Sequence, residues 1–251
     1  SYGSPLYIYK SESTKLLLTD GTDNTLTDGS EYTFADSLSS ATDEEPNACL
    51  YSKSDLVISG GGTLTVNANY QNGVTGKDTL TIEKTKIAVN AVNHGINGKD
   101  SLTITNATVD LVSGGDALRS TNDSDATLGY VTVTDSTLTL NAGEDGIQVE
   151  TNLTLSGSTL NVTTGGGSSA SLSDDTSAKG LKAGTALTIE SGIFDLNCAD
   201  DAIHSNGNVT ILDGTFEIST GDDGVHADEI STISGGTLNI AKCYEGIEGA
   251  T

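Results

Sequence analysis

The chain has 251 residues and a formal net charge of -24, with 11 Lys and Arg side chains against 35 Asp and Glu. This balance argues against nucleic acid as a partner and against anionic membrane surfaces, because both would repel the protein. Hydrophobic residues make up 35% of the chain and no run of 18 apolar residues occurs, so we expect no membrane insertion. The abundance of Gly and small polar residues fits either disorder or many short strands joined by turns, and periodicity decides between them.

Residues 1–49 are predicted to form an N-terminal cap and a first coil, with strands near 16–18 and 32–34. From residue 50 the sequence becomes repetitive, because LYSKSDLVI at 50–58 matches VTGKDTLTI at 74–82. At the other end, the last repeat motif is followed only by Thr251. An open coil end templates aggregation, so we expect the natural solenoid to continue or its end to pair with a partner.

Residues 50–251 are predicted to form regular coils of about 22 residues. The apolar residue that follows each turn recurs at intervals of 22, 22, 29, 34, 22, 22 and 22 residues. Its positions are Val74, Ile96, Leu118, Ile147, Leu181, Ile203, Val225 and Ile247. Insertions near 121–129 and 165–177 account for the two longer intervals.

Within one coil the apolar residues alternate, as in the pairs Leu80 with Ile82 and Ile87 with Val89. Alternation over short runs is typical of strands, and two strands plus a shorter third give a coil with three faces. Stacked coils then bury a continuous apolar interior that one coil could not bury alone. The sequence therefore predicts one all-β domain, a right-handed parallel β-helix, whose hand we take from the general preference of parallel crossovers.

Acidic residues stand just before the inward apolar residue in most coils. One column holds Asp116, Asp145, Lys179, Asp201, Asp223 and Glu245, and Glu144, Asp200 and Asp222 stand one position earlier. Turns favour Asp, but carboxylates stacked about 4.8 Å apart repel one another by about 1 kcal/mol per pair in water. Calcium takes six to eight oxygen ligands, so this column predicts Ca²⁺ between adjacent coils.

The first insertion adds Asn122, Asp123 and Asp125, whose alternating spacing resembles part of a calcium loop. It leaves the solenoid just after Arg119, so we expect it to fold back toward the acidic column and complete a second site. Asp174 and Asp175 of the second insertion are expected to approach the same column.

Basic and imidazole side chains form a neighbouring column. Arg119, Lys182, His204 and His226 are the candidate ligand-binding residues. Two imidazoles one coil apart could bind a transition metal, but the column also holds Gln148 and Glu248. We therefore favour a stacked outward ladder beside the acidic turn and leave the metal as the alternative.

Signals of catalysis are sparse. No Ser-His-Asp set has suggestive spacing, and with no Trp and only 11 aromatic residues no stacking platform for a glycan is evident. A lyase acting on uronic acids could still use calcium with Arg119 or Lys182 as the base. A Thr column from Thr81 to Thr232 could suggest ice binding, but Thr is also a good outward strand residue.

The segments EEPNACLYSKSDLVISGGGTLTVNANYQNGV, GINGKDSLTI, EDGIQVE, DDAIHS and DDGVHA together resemble the bacterial carbohydrate-binding domain family of secreted β-helix proteins, which is similar in fold to polysaccharide lyases. The resemblance implies calcium binding and attachment to plant cell-wall glycans, both cellulose and acidic pectic sugars, without catalysis. It also implies a secreted or cell-surface location. The coils at Lys179 and His94 depart from the acidic turn pattern, which weakens the expectation of calcium there.

The leading hypothesis is thus a non-catalytic, calcium-binding carbohydrate-binding protein. A calcium-dependent polysaccharide lyase is the second hypothesis, and a purely structural or ice-binding solenoid is the third.

Overall fold

A computed structural model describes residues 3–34, 39–40, 44–173 and 176–250. Each turn of the chain contributes one strand to each of three sheets, so strands three apart in sequence lie side by side. Within the described residues the sheets contain 10, 9 and 9 strands, all pairs between strands are parallel, and no helix occurs. The chain is therefore a three-faced, right-handed parallel β-helix, as predicted.

Sheet 1 is formed by short strands, most of them three residues long. In order they are β1 (Leu6–Ile8), β4 (Ala48–Ser52), β7 (Asn72–Gly76), β10 (Ile96–Gly98), β13 (Leu118–Ser120), β16 (Ile147–Val149), β19 (Leu181–Ala183), β22 (Ile203–Ser205), β25 (Val225–Ala227) and β28 (Ile247–Gly249). In the six three-residue strands from β10 to β25, one partly exposed side chain stands between two buried ones.

The remaining strands form sheets 2 and 3. Sheet 2 contains β2 (Ser13–Leu17), β5 (Asp55–Ser59), β8 (Thr79–Glu83), β11 (Ser101–Thr105), β14 (Tyr130–Thr134), β17 (Asn152–Ser156), β20 (Ala186–Ile189), β23 (Asn208–Ile211) and β26 (Ser231–Ile233). Sheet 3 contains β3 (Asp23–Thr27), β6 (Thr63–Ala68), β9 (Lys86–Ala91), β12 (Thr108–Ser113), β15 (Thr137–Ala142), β18 (Ser158–Thr164), β21 (Gly192–Cys198), β24 (Thr215–Thr220) and β27 (Thr237–Lys242).

The apolar column predicted from the 22-residue period is one continuous stack in sheet 1. Each member from Val74 to Ile247 pairs in register with the next. Members from Val74 to Val225 are fully buried, whereas Ile247 in the last strand is 52% exposed. Both insertions leave this register intact, because Leu118 pairs with Ile147 and Ile147 with Leu181.

The interior is a single apolar cluster that runs along the solenoid. Its largest side chains include Phe194 and Phe216 in sheet 3, whose rings stack with centroids 4.6 Å apart and planes 9° from parallel. The alternation of burial along β24 shows how a 35% apolar sequence suffices, since only every second residue must be hydrophobic.

The first coil differs in part from the sequence expectation. The predicted strand near 16–18 is present as β2, but 32–34 is not a strand. Tyr32 instead stacks on Tyr70 with ring centroids 4.3 Å apart and donates its hydroxyl to Asp28 Oδ2. Among the described residues there is no helix of the length and apolarity that crossing a bilayer requires.

Candidate functional site

The residue two positions before the inward column lies at the turn into sheet 1, and we call this set the turn column. It contains Asn72, His94, Asp116, Asp145, Lys179, Asp201, Asp223 and Glu245. Successive members are joined by hydrogen bonds in which a backbone N–H donates to the side chain one coil earlier. These bonds are Asp116 to His94 Nδ1 at 3.0 Å, Asp145 to Asp116 Oδ1 at 3.1 Å, Lys179 to Asp145 Oδ1 at 2.8 Å, Asp223 to Asp201 Oδ1 at 3.0 Å and Glu245 to Asp223 Oδ1 at 3.0 Å.

This series of hydrogen bonds, which we call the ladder, explains why most side chains in the turn column carry a hydrogen-bond acceptor close to the backbone. Asn72 Oδ1 accepts the N–H of His94 at 3.2 Å, so an amide or an imidazole serves as well as a carboxylate. Lys179 has no acceptor to offer, and the N–H of Asp201 turns to Oδ1 of Asp200 at 2.9 Å. A polar side chain at the turn therefore has a structural role in addition to any ligand that it holds.

The second carboxylate oxygen faces a cation or an imidazole. Oδ2 of Asp116 lies 3.2 Å from Arg119, and Oδ2 of Asp145 lies 3.1 Å from Lys182. These neighbours reduce the repulsion between stacked carboxylates that the sequence alone suggests.

Lys179 belongs to the same network. Its Nζ donates to Asp200 Oδ1 at 2.8 Å and to Asp201 Oδ2 at 2.7 Å. Burial alone would lower the pKa of Lys179, but these bonds outweigh it and raise the pKa. Burial likewise works to raise the pKa of Asp201, while hydrogen bonds from His204 and Lys179 hold that pKa well below its usual value.

Asp116 and His94 show the opposite balance. Burial, followed by the charge of Asp145, raises the pKa of Asp116 to about 6. Burial, followed by the charge of Arg119, lowers the pKa of His94 to about 4. Arg119 Nη1 lies 2.6 Å from His94 Nε2, so the guanidinium sits between an imidazole and a carboxylate.

Two grooves lie along the turn column. The first, of about 340 Å³, is lined by Asp116, Arg119, Glu144, Asp145, Gln148, Thr176, Ser177 and Lys182. The second, of about 420 Å³, is lined by Lys179, Asp201, His204, Asp222, Asp223, His226, Tyr244, Glu245 and Glu248. The grooves gather most of the residues that the sequence marked as metal-binding or ligand-binding.

Potential metal ligands converge at several places along the turn column. Asp200, Asp201 and Asp222 each offer an oxygen within 4.8 Å of the others. His94, Asp116 and Glu144 offer three ligand atoms at the same limit.

The acidic loop of the first insertion makes different contacts from those we expected. Asn122 Nδ2 donates to Asp100 Oδ1 at 2.6 Å, and Asn122 Oδ1 accepts the N–H of Ser124 and Asp125. Asp125 Oδ1 accepts from Thr127, and Asp123 is exposed. These bonds tie the loop to itself and to Asp100 rather than to the turn column. Asp174 and Asp175 lie outside the described residues.

The outward side chains of sheet 1 form a second file, which we call the outer column. Its members are Tyr7, Tyr51, Thr75, Asn97, Arg119, Gln148, Lys182, His204, His226 and Glu248, each paired in register with the next. Tyr51 and Thr75 are buried, so the accessible part of the column runs from Asn97 to Glu248, which is six steps of about 4.8 Å and about 29 Å long. All four ligand-binding candidates therefore lie in one line.

At its N-terminal end the outer column carries an aromatic platform that sequence reasoning missed. Tyr7 meets Tyr51 and Tyr9 edge-on, with ring centroids 5.6 Å and 5.8 Å apart. Tyr9 is 42% exposed, and Lys53 Nζ lies 5.5 Å from its ring centroid. The alignment of LYIYK at 6–10 with LYSKS at 50–54 is the signal that could have revealed the platform.

Comparisons with known proteins agree with this fold. A family model described as "Carbohydrate-binding domain-containing protein" matches residues 1–224. A protein of the same description from Acetivibrio thermocellus is 41% identical over 88 residues, which cover 35% of this chain and 29% of that protein. A solved structure, "Structure of the polysaccharide lyase-like protein from C. thermocellum, Gadolinium derivative", is 36% identical with a TM-score of 0.62, over 66% of this chain and 65% of that one.

The family model spans most of the chain, so the protein belongs to the carbohydrate-binding domain family. The match covers less than a third of the Acetivibrio thermocellus protein and just under two thirds of the solved chain. The family and the polysaccharide lyase-like fold predicted from the sequence are confirmed.

Proposed function

We propose that this protein binds polysaccharide chains without cleaving them, along the outer column of sheet 1. The observation that carries the proposal is the accessible strip from Asn97 to Glu248, which has a polar side chain on every coil, together with the aromatic platform beyond its N-terminal end. Binding sites for organic ligands combine apolar or aromatic walls with a few placed polar groups. A strip about 29 Å long suits an extended polymer better than a single sugar.

The platform supports contact with sugar rings. Tyr rings offer a rigid face with a polar hydroxyl at low entropic cost. Tyr9 is the exposed member, Tyr7 packs edge-on against it, and the buried Tyr51 packs against Tyr7. Cellulose, a neutral plant cell-wall chain, is one proposed ligand for this surface.

The cations in the same strip support acidic sugars as a second ligand class. Lys53 and Lys77 flank the platform and share Glu45, at 2.9 Å and 2.6 Å. Arg119 and Lys182 lie farther along. With a net charge of -24, the protein would otherwise repel a pectic chain, so these cations or a bound metal must offset that repulsion. With these ligands we also propose a location outside the cell, secreted or on the cell surface.

Calcium is part of the proposal. We place it where Asp200, Asp201 and Asp222 converge, with turn carbonyls and water completing the ligands. Calcium would have to displace the ammonium of Lys179 from Asp200 and Asp201. The carboxylates of Asp116, Glu144 and Asp145 form the second proposed site. The solved relative is a gadolinium derivative, and gadolinium, like calcium, is a hard cation that prefers oxygen ligands.

The positions of the two candidate bases favour binding over lyase chemistry. A general base must be free to accept a proton, whereas Arg119 donates to Asp116 and Lys182 to Asp145. Each cation serves as a charge partner in the turn network.

The test is a pull-down on insoluble cellulose, and affinity electrophoresis through polygalacturonate, with and without chelator. Binding to either glycan, without absorbance from unsaturated uronides, supports the proposal. Sustained calcium-dependent release of unsaturated uronides, lost in Arg119→Ala or Lys182→Ala, would establish the lyase instead.

A further inference from the structure

Two histidines in the second groove face carboxylates on three consecutive coils. We call Asp201, His204, Asp223, His226 and Glu248 the histidine cluster. Nδ1 of His204 lies 2.8 Å from Asp201 Oδ2. Nδ1 of His226 lies 2.8 Å from Glu248 Oε2 and 3.3 Å from Asp223 Oδ2. The two rings stack with centroids 4.8 Å apart and planes 16° from parallel.

The cluster contains two overlapping sets of three potential ligands that share His226. One set is Asp201, His204 and His226, and the other is Asp223, His226 and Glu248. Within each set the ligand atoms lie within 4.8 Å of one another. Metal–nitrogen bonds of about 2.1 Å place two ligand nitrogens up to about 4.2 Å apart, so only a small closure of the side chains is required.

The far nitrogen of each ring is also held. His204 Nε2 lies 3.0 Å from Asn206 Oδ1, and His226 Nε2 lies 3.0 Å from Asp228 Oδ1. Metal-bound histidines use such a partner to fix the tautomer and the ring orientation. Both rings thus turn Nδ1 toward the same side, where the carboxylates are.

The chemistry of these ligands differs from that of the proposed calcium positions. Asp200, Asp201 and Asp222 offer only oxygen, which suits calcium. Imidazole nitrogen with carboxylate oxygen suits zinc, nickel and copper instead. The groove leaves the cluster reachable, since the side chains of His226 and Glu248 are 24% and 47% exposed.

We propose that the histidine cluster binds one divalent transition-metal ion, held by His204 and His226 with a carboxylate oxygen of Asp201, the set of three whose ligand atoms lie within 4.8 Å of one another. The two histidines belong to the outer column, so the metal would add a cation to the acidic end of the proposed glycan-binding surface. A metal there would also tie β22 to β25 across one coil step.

Titration of the metal-free full chain with zinc chloride, followed by calorimetry, tests the proposal. Cys243 is first alkylated, because it is the least buried of the three free thiols and could bind zinc by itself. We expect one zinc per chain, and we expect His204→Gln and His226→Gln each to lower the zinc affinity more than about tenfold. The double variant Asp200→Asn with Asp222→Asn is the matched control, and its zinc affinity should stay within about twofold of the parent.

A spectrum of the parent chain gives a second test that does not depend on the histidine variants folding. With one equivalent of Cu²⁺, electron paramagnetic resonance should show coupling to directly bound nitrogen. No saturable zinc binding, unchanged affinity in both folded histidine variants, or an oxygen-only copper spectrum would overturn the proposal.

Discussion

The backbone N–H of Asp223 donates to Oδ1 of Asp201 across one coil, at 3.0 Å. The same bond recurs along the turn column, where Asp116, Asp145, Asp201 and Asp223 each accept the backbone N–H of the turn in the next coil. The other oxygen of the same carboxylate meets a cation or an imidazole, as Oδ2 of Asp201 meets Lys179 and His204. One oxygen of the carboxylate therefore accepts the backbone hydrogen bond that closes the turn, and the other oxygen pairs with a charged or imidazole side chain.

Asp145 provides a test of the ladder. Its side chain is buried, accepts the N–H of Lys179 and the hydroxyl of Ser177, and pairs with Lys182. Asp145→Ala should cost about 2–4 kcal/mol, because a buried donor and a cation lose their partner. Asp145→Asn keeps one acceptor and should cost less than half as much. Urea unfolding of both variants measures the difference, and equal losses would contradict the ladder.

A second prediction concerns the aromatic pair in the core. Phe216 is fully buried and stacks on Phe194. Phe216→Ala should cost about 3–5 kcal/mol through the cavity that it leaves. Phe216→Leu should cost under about 1.5 kcal/mol, since Leu138 and Leu160 occupy the same column in earlier coils. Thermal melts followed by circular dichroism check both values, and a mild effect of the alanine variant would show that the core collapses around the gap.

We expect the ion pairs of Glu45 to make a pH-dependent contribution to the free energy of unfolding. Burial works to raise its pKa, but hydrogen bonds from Lys77 and Lys53 outweigh it and lower the pKa from 4.5 to about 2. A depressed folded-state pKa means that the stabilisation is complete above pH 4.5 and is lost as the pH falls toward 2. Glu45→Gln should therefore cost about 1–2 kcal/mol at neutral pH, a range that allows for solvent screening at the partly exposed lysines.

The same variant should differ little from the parent at about pH 2. Denaturant unfolding at the two pH values gives the comparison. An equal difference at both would show that the ion pairs of Glu45 do not carry the effect.

Calcium removal should lower the melting temperature. A cation that binds only the folded state stabilises it by about 2.7 kcal/mol at a hundred times its dissociation constant. We expect at least two calcium ions, counted by atomic emission after dialysis, and a melting temperature that falls with chelator and recovers when calcium is returned. Asp200→Asn combined with Asp222→Asn should remove one ion, while Asp110→Asn, an exposed change in sheet 3, should remove none. A melting temperature that does not change with chelator would show that the acidic residues of the turn column serve only to close turns.

The fold could be predicted from the sequence because the inward residues obey a strict period. Val74, Ile96 and Leu118 repeat at equal intervals, and a buried column tolerates only apolar side chains, so the pattern fixes the register. The insertions do not disturb it, since Leu118 still pairs with Ile147 and Ile147 with Leu181.

The site was harder to predict because its contacts depend on side-chain geometry. Periodicity placed Arg119, Lys182, His204 and His226 in one column, but it could not show which carboxylate oxygen closes a turn. Asn122 illustrates the limit, since its amide satisfies its own loop and Asp100. Tyr7 and Tyr51 were missed because they are neighbours in the structure but 44 residues apart, twice the usual interval.

Binding of cellulose and polygalacturonate by Tyr9→Ala tests the central claim most directly. Tyr9 is the exposed ring of the platform, and losing one stacking face should weaken binding about tenfold, or about 1.4 kcal/mol. Tyr130→Ala is the matched control, because Tyr130 lies on sheet 2, away from the outer column. We predict weaker binding in Tyr9→Ala and unchanged binding in Tyr130→Ala for at least one of the two glycans. Equal affinities for the parent and Tyr9→Ala on both glycans would contradict the outer column as the binding surface.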